Sequence, residues 1–198
     1  MSTKILVLYY SRGGSVRKMA EEIARGIESI ADCEAMLRTV PPVATITEKQ
    51  AHQTTAEKDP YASLEDLKIC DGLAVGSPTR FGNMAAPMKY FWDTTGDDWF
   101  SGTLIGKPAA VFTSTATMHS GQESTLLSMM IPLLHHGLLI VGVPASEAAS
   151  LSTKTGGSFY GPTHFAGPNN DPNLSEDEIK ICRSLGKRLA EVSVKLKG

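Results

Sequence analysis

The chain has 198 residues, 41% of them hydrophobic and 20% charged, and a formal net charge of -2. That length suits one sizeable domain, 1–198, better than two, and the composition is that of an ordinary globular protein rather than a disordered or membrane-embedded one. A charge so near neutral offers no broad field to nucleic acid or anionic lipid, and no apolar run reaches bilayer length, so neither is expected as a partner.

The N-terminus enters a strand pattern without a signal-peptide apolar stretch, so a cytoplasmic location is expected. Residues 5–9, Ile-Leu-Val-Leu-Tyr, are too short an apolar run for a helix and suit a strand buried on both faces of a parallel sheet. Val16, Met19, Ala20, Ile23, Ala24, Ile27 and Ile30 then recur at helical spacing. A second strand is predicted over 33–40, followed by Pro41-Pro42 and an aperiodic polar insertion at 41–62. One or two helical turns at 64–68 lead to a third strand over 72–76, with Ser77-Pro78-Thr79-Arg80-Phe81-Gly82 as the loop at its C-terminal end.

The next helix should begin near Met84, tolerate Pro87 in its first turn and bury Met88, Phe91 and Trp92. A Gly-rich crossing over 95–107 precedes a fourth strand at 108–114. Ser120 and Glu123 match a capping box ahead of a helix carrying Leu126, Leu127, Met130, Leu133 and Leu134, with a kink at Pro132. A fifth strand is predicted over 138–143, and 145–173, rich in Gly, Ser, Thr, Pro and Asn, reads as a long functional loop. Ser175 and Glu178 form a second capping box before a closing helix whose apolar stripe is Cys182, Leu185, Leu189, Val192 and Leu196. Five buried strands alternating with helices make a doubly wound α/β domain without internal repeats. The three cysteines, Cys33, Cys70 and Cys182, are too scattered for a metal or disulfide motif and read as buried thiols; no metal site is expected.

Open parallel sheets bind ligands beyond the carboxyl ends of their strands, which singles out three loops, 11–16, 77–82 and 114–120. The first, Ser11-Arg12-Gly13-Gly14-Ser15-Val16, combines hydroxyls, glycines that admit a ligand close to the backbone, and free amides at a helix start, which is anion-binding chemistry. A plain glycine turn capped by Ser15 is the blander reading. Other phosphate motifs fail at named positions. Gly-x-Gly-x-x-Gly is absent after the first strand, and Gly102-Thr103-Leu104-Ile105-Gly106-Lys107 is one residue short of a P-loop, with Pro108 where Ser or Thr should hold magnesium. Tyr9-Tyr10-Ser11 stands where a receiver domain needs acids. The second loop, with Thr79, Arg80 and Phe81, offers backbone donors and a flat apolar ring. The third, Ser114-Thr115-Ala116-Thr117-Met118-His119, offers hydroxyls and amides. Taken singly, Phe81 is equally a hydrophobic plug and Arg80 a surface charge; together the loops suit a ligand with a phosphate at one end and a ring system at the other.

With Val7-Leu8-Tyr9-Tyr10-Ser11 and Gly14, Gly76-Ser77-Pro78-Thr79-Arg80-Phe81-Gly82-Asn83-Met84, Gly121-Gln122-Glu123, His135-His136-Gly137 and Gly156-Gly157-Ser158-Phe159-Tyr160-Gly161, the chain resembles the WrbA family of NAD(P)H:quinone oxidoreductases end to end. The resemblance implies a flavodoxin-like doubly wound five-stranded parallel sheet of order 2-1-3-4-5 with helices on both faces. It implies FMN as cofactor, its phosphate on 11–16, its isoalloxazine lined by Thr79, Arg80 and Phe81, and its pocket completed by 114–119. His135 would reach the ring side as the catalytic residue, and Trp99, an aromatic in a Gly- and Asp-rich loop, would wall the substrate space. The family is tetrameric, with neighbouring subunits helping to build each site. NADH or NADPH and a quinone would use one flavin face in turn, a ping-pong, two-electron reduction of quinone to hydroquinone.

Three positions depart from the family pattern. Gly13 stands where it often has Tyr, Met118-His119-Ser120 replaces a glycine-rich stretch, and Ala145 sits where some members have a pocket tyrosine. His135 and His136, adjacent at a helix end, are not expected to face one pocket together, and either also suits a helix C-terminus on electrostatic grounds alone. The main alternative is a flavodoxin-type one-electron carrier, disfavoured by the small net charge and the two long insertions; a flavin-free regulatory protein of the same fold is the third reading.

Overall fold

A computed structural model describes residues 2–43 and 59–197, so most of the predicted insertion, 44–58, lies outside the described residues. Strand β1 (Thr3–Tyr9) pairs in parallel with β2 (Cys33–Thr39) on one side and β3 (Gly72–Arg80) on the other. β3 turns through Phe81 and Gly82 into the two-residue antiparallel strand β4 (Asn83–Met84), and also pairs in parallel with β5 (Pro108–Thr115). β6 (Leu139–Ile140) follows β5, so the main path β2-β1-β3-β5-β6 is the expected order 2-1-3-4-5. Residues 5–9 are wholly buried because both faces of the sheet are covered. Ile5, Val7 and Tyr9 pack under helices α1 (Ser15–Glu28) and α7 (Glu176–Lys197). On the opposite face Leu6 and Leu8 share a core with residues of α2 (Leu64–Ile69), α3 (Ala86–Asp93) and α5 (Gln122–His135).

The contact between α1 and α7 is backbone to backbone. A Cβ on Gly26 would lie 2.1 Å from the Arg183 carbonyl oxygen, and one on Gly186 would lie 2.1 Å from that of Ile23. Only glycine at both crossings permits this approach, and it fixes where the start of α7 stands relative to the start of α1.

Several sequence-based boundaries shift. β3 runs four residues past 76 to Arg80, because Ser77 and Pro78 pair with Thr113 and Ser114. Met84 therefore belongs to β4, and the next helix starts at Ala86. The crossing at 95–107 contains a short helix, α4 (Gly96–Phe100), so Trp99 is helical rather than on a loop. Ser120 forms no capping box: α5 starts from Gly121 at φ 85°, and the helix runs on through Pro132 to His135. Its buried stripe is Leu126, Met129 and Leu133, with Leu127 and Leu134 exposed. On α7 Leu196 is exposed, and Ile181 and Ala190 join Cys182, Leu185 and Leu189 in the core.

The largest correction is the fifth strand. Only Leu139–Ile140 of the predicted 138–143 is in the ladder, and the strand resumes as β7 (Thr163–Phe165), which pairs with Thr113, Ser114 and Thr115. The predicted loop 145–173 thus holds this second half-strand and a short helix, α6 (Ala148–Ser152). All three cysteines are free, Cys70 and Cys182 buried and Cys33 half-buried. Among the described residues no helix is long and apolar enough to cross a membrane, and no group of three His, Cys, Asp or Glu side chains could hold a metal ion.

Candidate functional site

The turn between β1 and α1 ends on Gly14, the helix N-cap, at φ 92°, a left-handed conformation that glycine adopts without steric cost. Its N–H donates to Ser11 Oγ at 3.1 Å. Ser15, the alternative cap, is instead the first helical residue. The amides of Ser15, Val16 and Arg17 have no carbonyl within the helix to receive them, no side chain caps them, and the first turn holds no acid. α2 and α7 do supply such groups, with Glu65 and Asp66 in the first turn of one and Glu176, Asp177 and Glu178 in that of the other; α3, like α1, has neither cap nor acid, but its first turn carries Pro87, which has no N–H to satisfy. An open, acid-free helix start fits an external anion such as a phosphate.

This helix start faces a cleft of about 550 Å³ beyond the carboxyl ends of β1, β3 and β5. The first loop contributes Ser11, Arg12, Gly13, Ser15 and Val16 to its wall, the second Pro78, Thr79 and Arg80, the third Ser114, Thr115, Ala116 and Ser120. Ala166 and Asn170, just beyond β7, complete it. Gly14 makes the turn behind the wall. Phe81 does not line the cleft; it is fully exposed at φ 56°, beside Gly82 at φ 76°, in the turn to β4. Positive φ is strained for a bulky side chain, and such strain collects at functional sites. Thr117, Met118 and His119 also fall outside the wall, in a turn where only Met118 is half-buried.

A buried relay braces the third loop. Gly157 N–H donates to Thr163 Oγ1 (2.6 Å), Thr163 donates to Gln122 Oε1 (2.7 Å), Gln122 Nε2 donates to Thr115 Oγ1 (2.9 Å), and Thr115 donates to the Thr117 carbonyl (2.8 Å). Gln122 thus positions the cleft from behind. The Gly121-Gln122-Glu123 motif marks it in the sequence, but with no chemistry of its own. Thr79 Oγ1 is held 2.7 Å from Thr125 Oγ1.

A second cleft of about 1130 Å³ adjoins the first, sharing Arg12 and Arg80. Trp99, His135 and His136 line this one, so both histidines do face one cavity, contrary to expectation. None of them reaches the first cleft. α5 leaves the carboxyl end of β5 and runs back for 14 residues, about 21 Å at 1.5 Å per residue. It delivers His135 toward the other end of the sheet, where Leu139 pairs with Pro108 at the start of β5. Trp99 Nε1 donates to the His135 carbonyl (2.9 Å), and the two rings meet at a tilt of 33° with centroids 5.6 Å apart. Thr95 Oγ1 donates to the Trp92 carbonyl and accepts from His136 Nε2 at 2.9 Å. Among the described residues His136 Nδ1 is buried without a partner, and burial, with His135 beside it, holds its pKa below the ordinary value.

The profile of the NADPH-dependent FMN reductase family matches residues 3–150. The chain is 42% identical over 202 residues to a protein of Solidesulfovibrio magneticus named NAD(P)H dehydrogenase (quinone), covering 98% of each chain. A protein of the same name from Trichlorobacter lovleyi is also 42% identical, over 201 residues and 98% of each chain. Among solved structures, a flavodoxin described as WrbA-like from Agrobacterium tumefaciens superimposes with a TM-score of 0.71 at 22% identity, over 98% of this chain and 99% of that one. That likeness establishes the flavodoxin-like fold; the profile and the near-full-length identity together establish that the chain belongs to the NADPH-dependent FMN reductase family.

Proposed function

We propose that the chain is an FMN-dependent NAD(P)H:quinone oxidoreductase of the WrbA type, a single flavodoxin-like domain working in the cytoplasm as a homotetramer. The observation that carries this reading is the uncapped, acid-free start of α1 opening onto a cleft lined by all three strand-end loops. The names of the relatives at 42% identity support the reaction. FMN bound there would supply the ring that takes a hydride from NAD(P)H and returns two electrons to a quinone.

The residues divide the work by position. The amides of 15–17, with Ser11, Arg12, Gly13 and Ser15, would hold the phosphate. Thr79, Arg80, Ser114, Thr115 and Ala116 would line the ring, kept in place by Thr125 and Gln122. Phe81, Thr117, Met118 and His119, all outside the cleft wall of one chain, would meet the ring or a substrate at its open edge. His135, at the end of α5 away from the first cleft, and Trp99 of α4 beside it would complete the site of a neighbouring copy. There His135 would donate a hydrogen bond to the developing hydroquinone oxygen, and Trp99 would wall the space that nucleotide and quinone occupy in turn.

Stopped-flow absorbance tests the reaction. Bleaching of the flavin band by NADH or NADPH, then recovery on adding benzoquinone, is expected; no bleaching by either nucleotide contradicts it. Co-expression tests the shared site. Ser15→Asp places a carboxylate in the phosphate cradle and Trp99→Ala removes the wall, so oligomers mixing the two single variants should regain activity that neither homo-oligomer has. No regain would place Trp99 beside its own flavin.

A further inference from the structure

Outside both clefts, the β7 residue His164 and the α7 residue Glu178 form an ion pair in which each side chain is 1% exposed. Every polar atom of the pair is used. Glu178 Oε1 accepts the N–H groups of Gly156 (2.9 Å) and Phe165 (3.0 Å), and Oε2 accepts the Ser175 N–H (2.8 Å) and His164 Nδ1–H (2.9 Å). His164 Nε2 lies 2.9 Å from the Asp171 carbonyl oxygen. Both ring nitrogens therefore face oxygens that carry no hydrogen, and both must donate, which makes the ring an imidazolium.

The Asp171 contact gains its meaning from residues 166–173. This segment hangs from β5 by the Ala166 N–H to the Thr115 carbonyl (2.8 Å) and closes on itself by the Asp171 N–H to the Ala166 carbonyl (2.8 Å). It lies across the start of α1, where Lys18 Nζ donates to Asn173 Oδ1 (2.6 Å) and Pro172 Cβ is 3.7 Å from where a Cβ on Gly14 would stand. Ala166 and Asn170 face the cleft from it.

We propose that His164 is a positioning residue for flavin binding: as an imidazolium it clamps residues 166–173 as the wall of the phosphate end of the cleft, and its deprotonation releases them. The inference rests on the FMN reading above. When the ring loses one proton, the charged carboxylate retains Nδ1–H and the bare Nε2 lone pair is left against the Asp171 carbonyl oxygen. Burial opposes the charge on His164, but the hydrogen bonds to Glu178 and the Asp171 carbonyl outweigh it and raise the pKa above the ordinary value. The clamp is thus whole at lower pH and lost as pH rises through that raised value.

The other groups around the pair do not compete for this role. Asp171 adds a second favourable charge. Cys182, one turn along α7, has its thiol pushed well up by burial and stays neutral. On α1, Glu22 is held by Arg25 and Arg183. β5 and α6 carry no ionisable side chain.

Titrating the wild-type protein by NMR of the His164 ring, with and without FMN, tests the proposal alongside FMN affinity at pH 7 and pH 9. Coupling between two sites is reciprocal, so FMN should raise the pKa of His164, and FMN should bind about fivefold or more weakly at pH 9 than at pH 7. His164→Gln, which keeps one donor but no charge, should bind FMN equally at both pH values. A His164 ring that titrates at the same pH with and without FMN overturns the proposal while leaving the flavin reading intact, and it needs no variant to fold. A wild-type protein that takes up no FMN at either pH overturns the flavin reading, and the clamp with it.

Discussion

The starts of α1 and α7 are joined through Gly14 against Pro172 and Lys18 against Asn173, yet they treat their free amides in opposite ways. α7 is closed: Ser175 and Glu178 exchange hydrogen bonds as a capping box, three acids fill the first turn, and Glu178 gathers a histidine and two further amides from the segment before it. α1 has a left-handed glycine, no acid and no cap. A chain that can close one helix end so fully has left its neighbour open, and the open one looks into the cleft. The contrast supports the proposed phosphate position more firmly than the glycines of the first loop do alone.

Opening α7 should cost the most. Glu178→Ala strands the buried His164 and the N–H groups of Gly156, Phe165 and Ser175, and is expected to lower unfolding stability by about 3–5 kcal/mol in urea titration. Acid should mimic part of this loss. Burial works against the charge on Glu178, but His164 and the N–H groups of Phe165 and Ser175 prevail and hold its pKa at about 2. A depressed carboxyl stabilises above its ordinary value, so stability should decline as pH falls from about 4.5 toward about 2.

Closing α1 is the converse experiment. Ser15→Asp puts an acid where α7 already has three, and FMN affinity should fall by about a hundredfold or more from like-charge repulsion. The thermal stability of the apoprotein should hold or rise by about 0.3–1 kcal/mol, because the new charge favours the helix dipole. Affinity and stability moving down together would show that Ser15 matters to folding rather than to a bound anion. A smaller effect belongs to Gly13. It is open to solvent, and a Cβ there meets nothing within 4 Å, so Gly13→Tyr should fold normally. By restoring the residue the family often has, it should lower KM for the reduced nucleotide about threefold to tenfold, on the scale of one modest aromatic contact, with FMN affinity unchanged because Gly13 would meet the phosphate through its backbone alone.

What the sequence shows of this arrangement follows from how local each signal is. The run at 5–9 and the helical spacing from Val16 are decided by nearest neighbours, and β1 and α1 appear where their patterns put them, except that α1 ends at Glu28 and leaves Ile30 beyond it. Ser175 and Glu178 form their capping box because its two bonds span three residues. Thr163–Phe165 has no such support: it is three residues long, mostly polar, and becomes a strand only because β5 is there to pair with it. His164 accordingly reads as one more polar residue in a loop, and its role depends on α7 and on Asp171, both distant in pattern though near in sequence.

The separation of His135 from the first cleft is legible in principle. A 14-residue helix that begins at one end of a sheet must finish toward the other, so no single chain brings His135 and Ser114 together. The resemblance groups the two because it carries residues and carries no distances between them. Exposed Leu127 and Leu134 on α5 illustrate the same limit, since helical spacing marks an apolar face without saying whether the chain's own core covers it.

The open start of α1 is tested most directly by titrating the apoprotein with FMN and with riboflavin, which share a ring and differ in the phosphate. FMN is expected to bind at least about a hundredfold more tightly, the equivalent of two charge-assisted hydrogen bonds at about 1.5–3 kcal/mol each. Equal affinity for the two would mean that the amides of 15–17 hold no phosphate, and would contradict the site described for this chain.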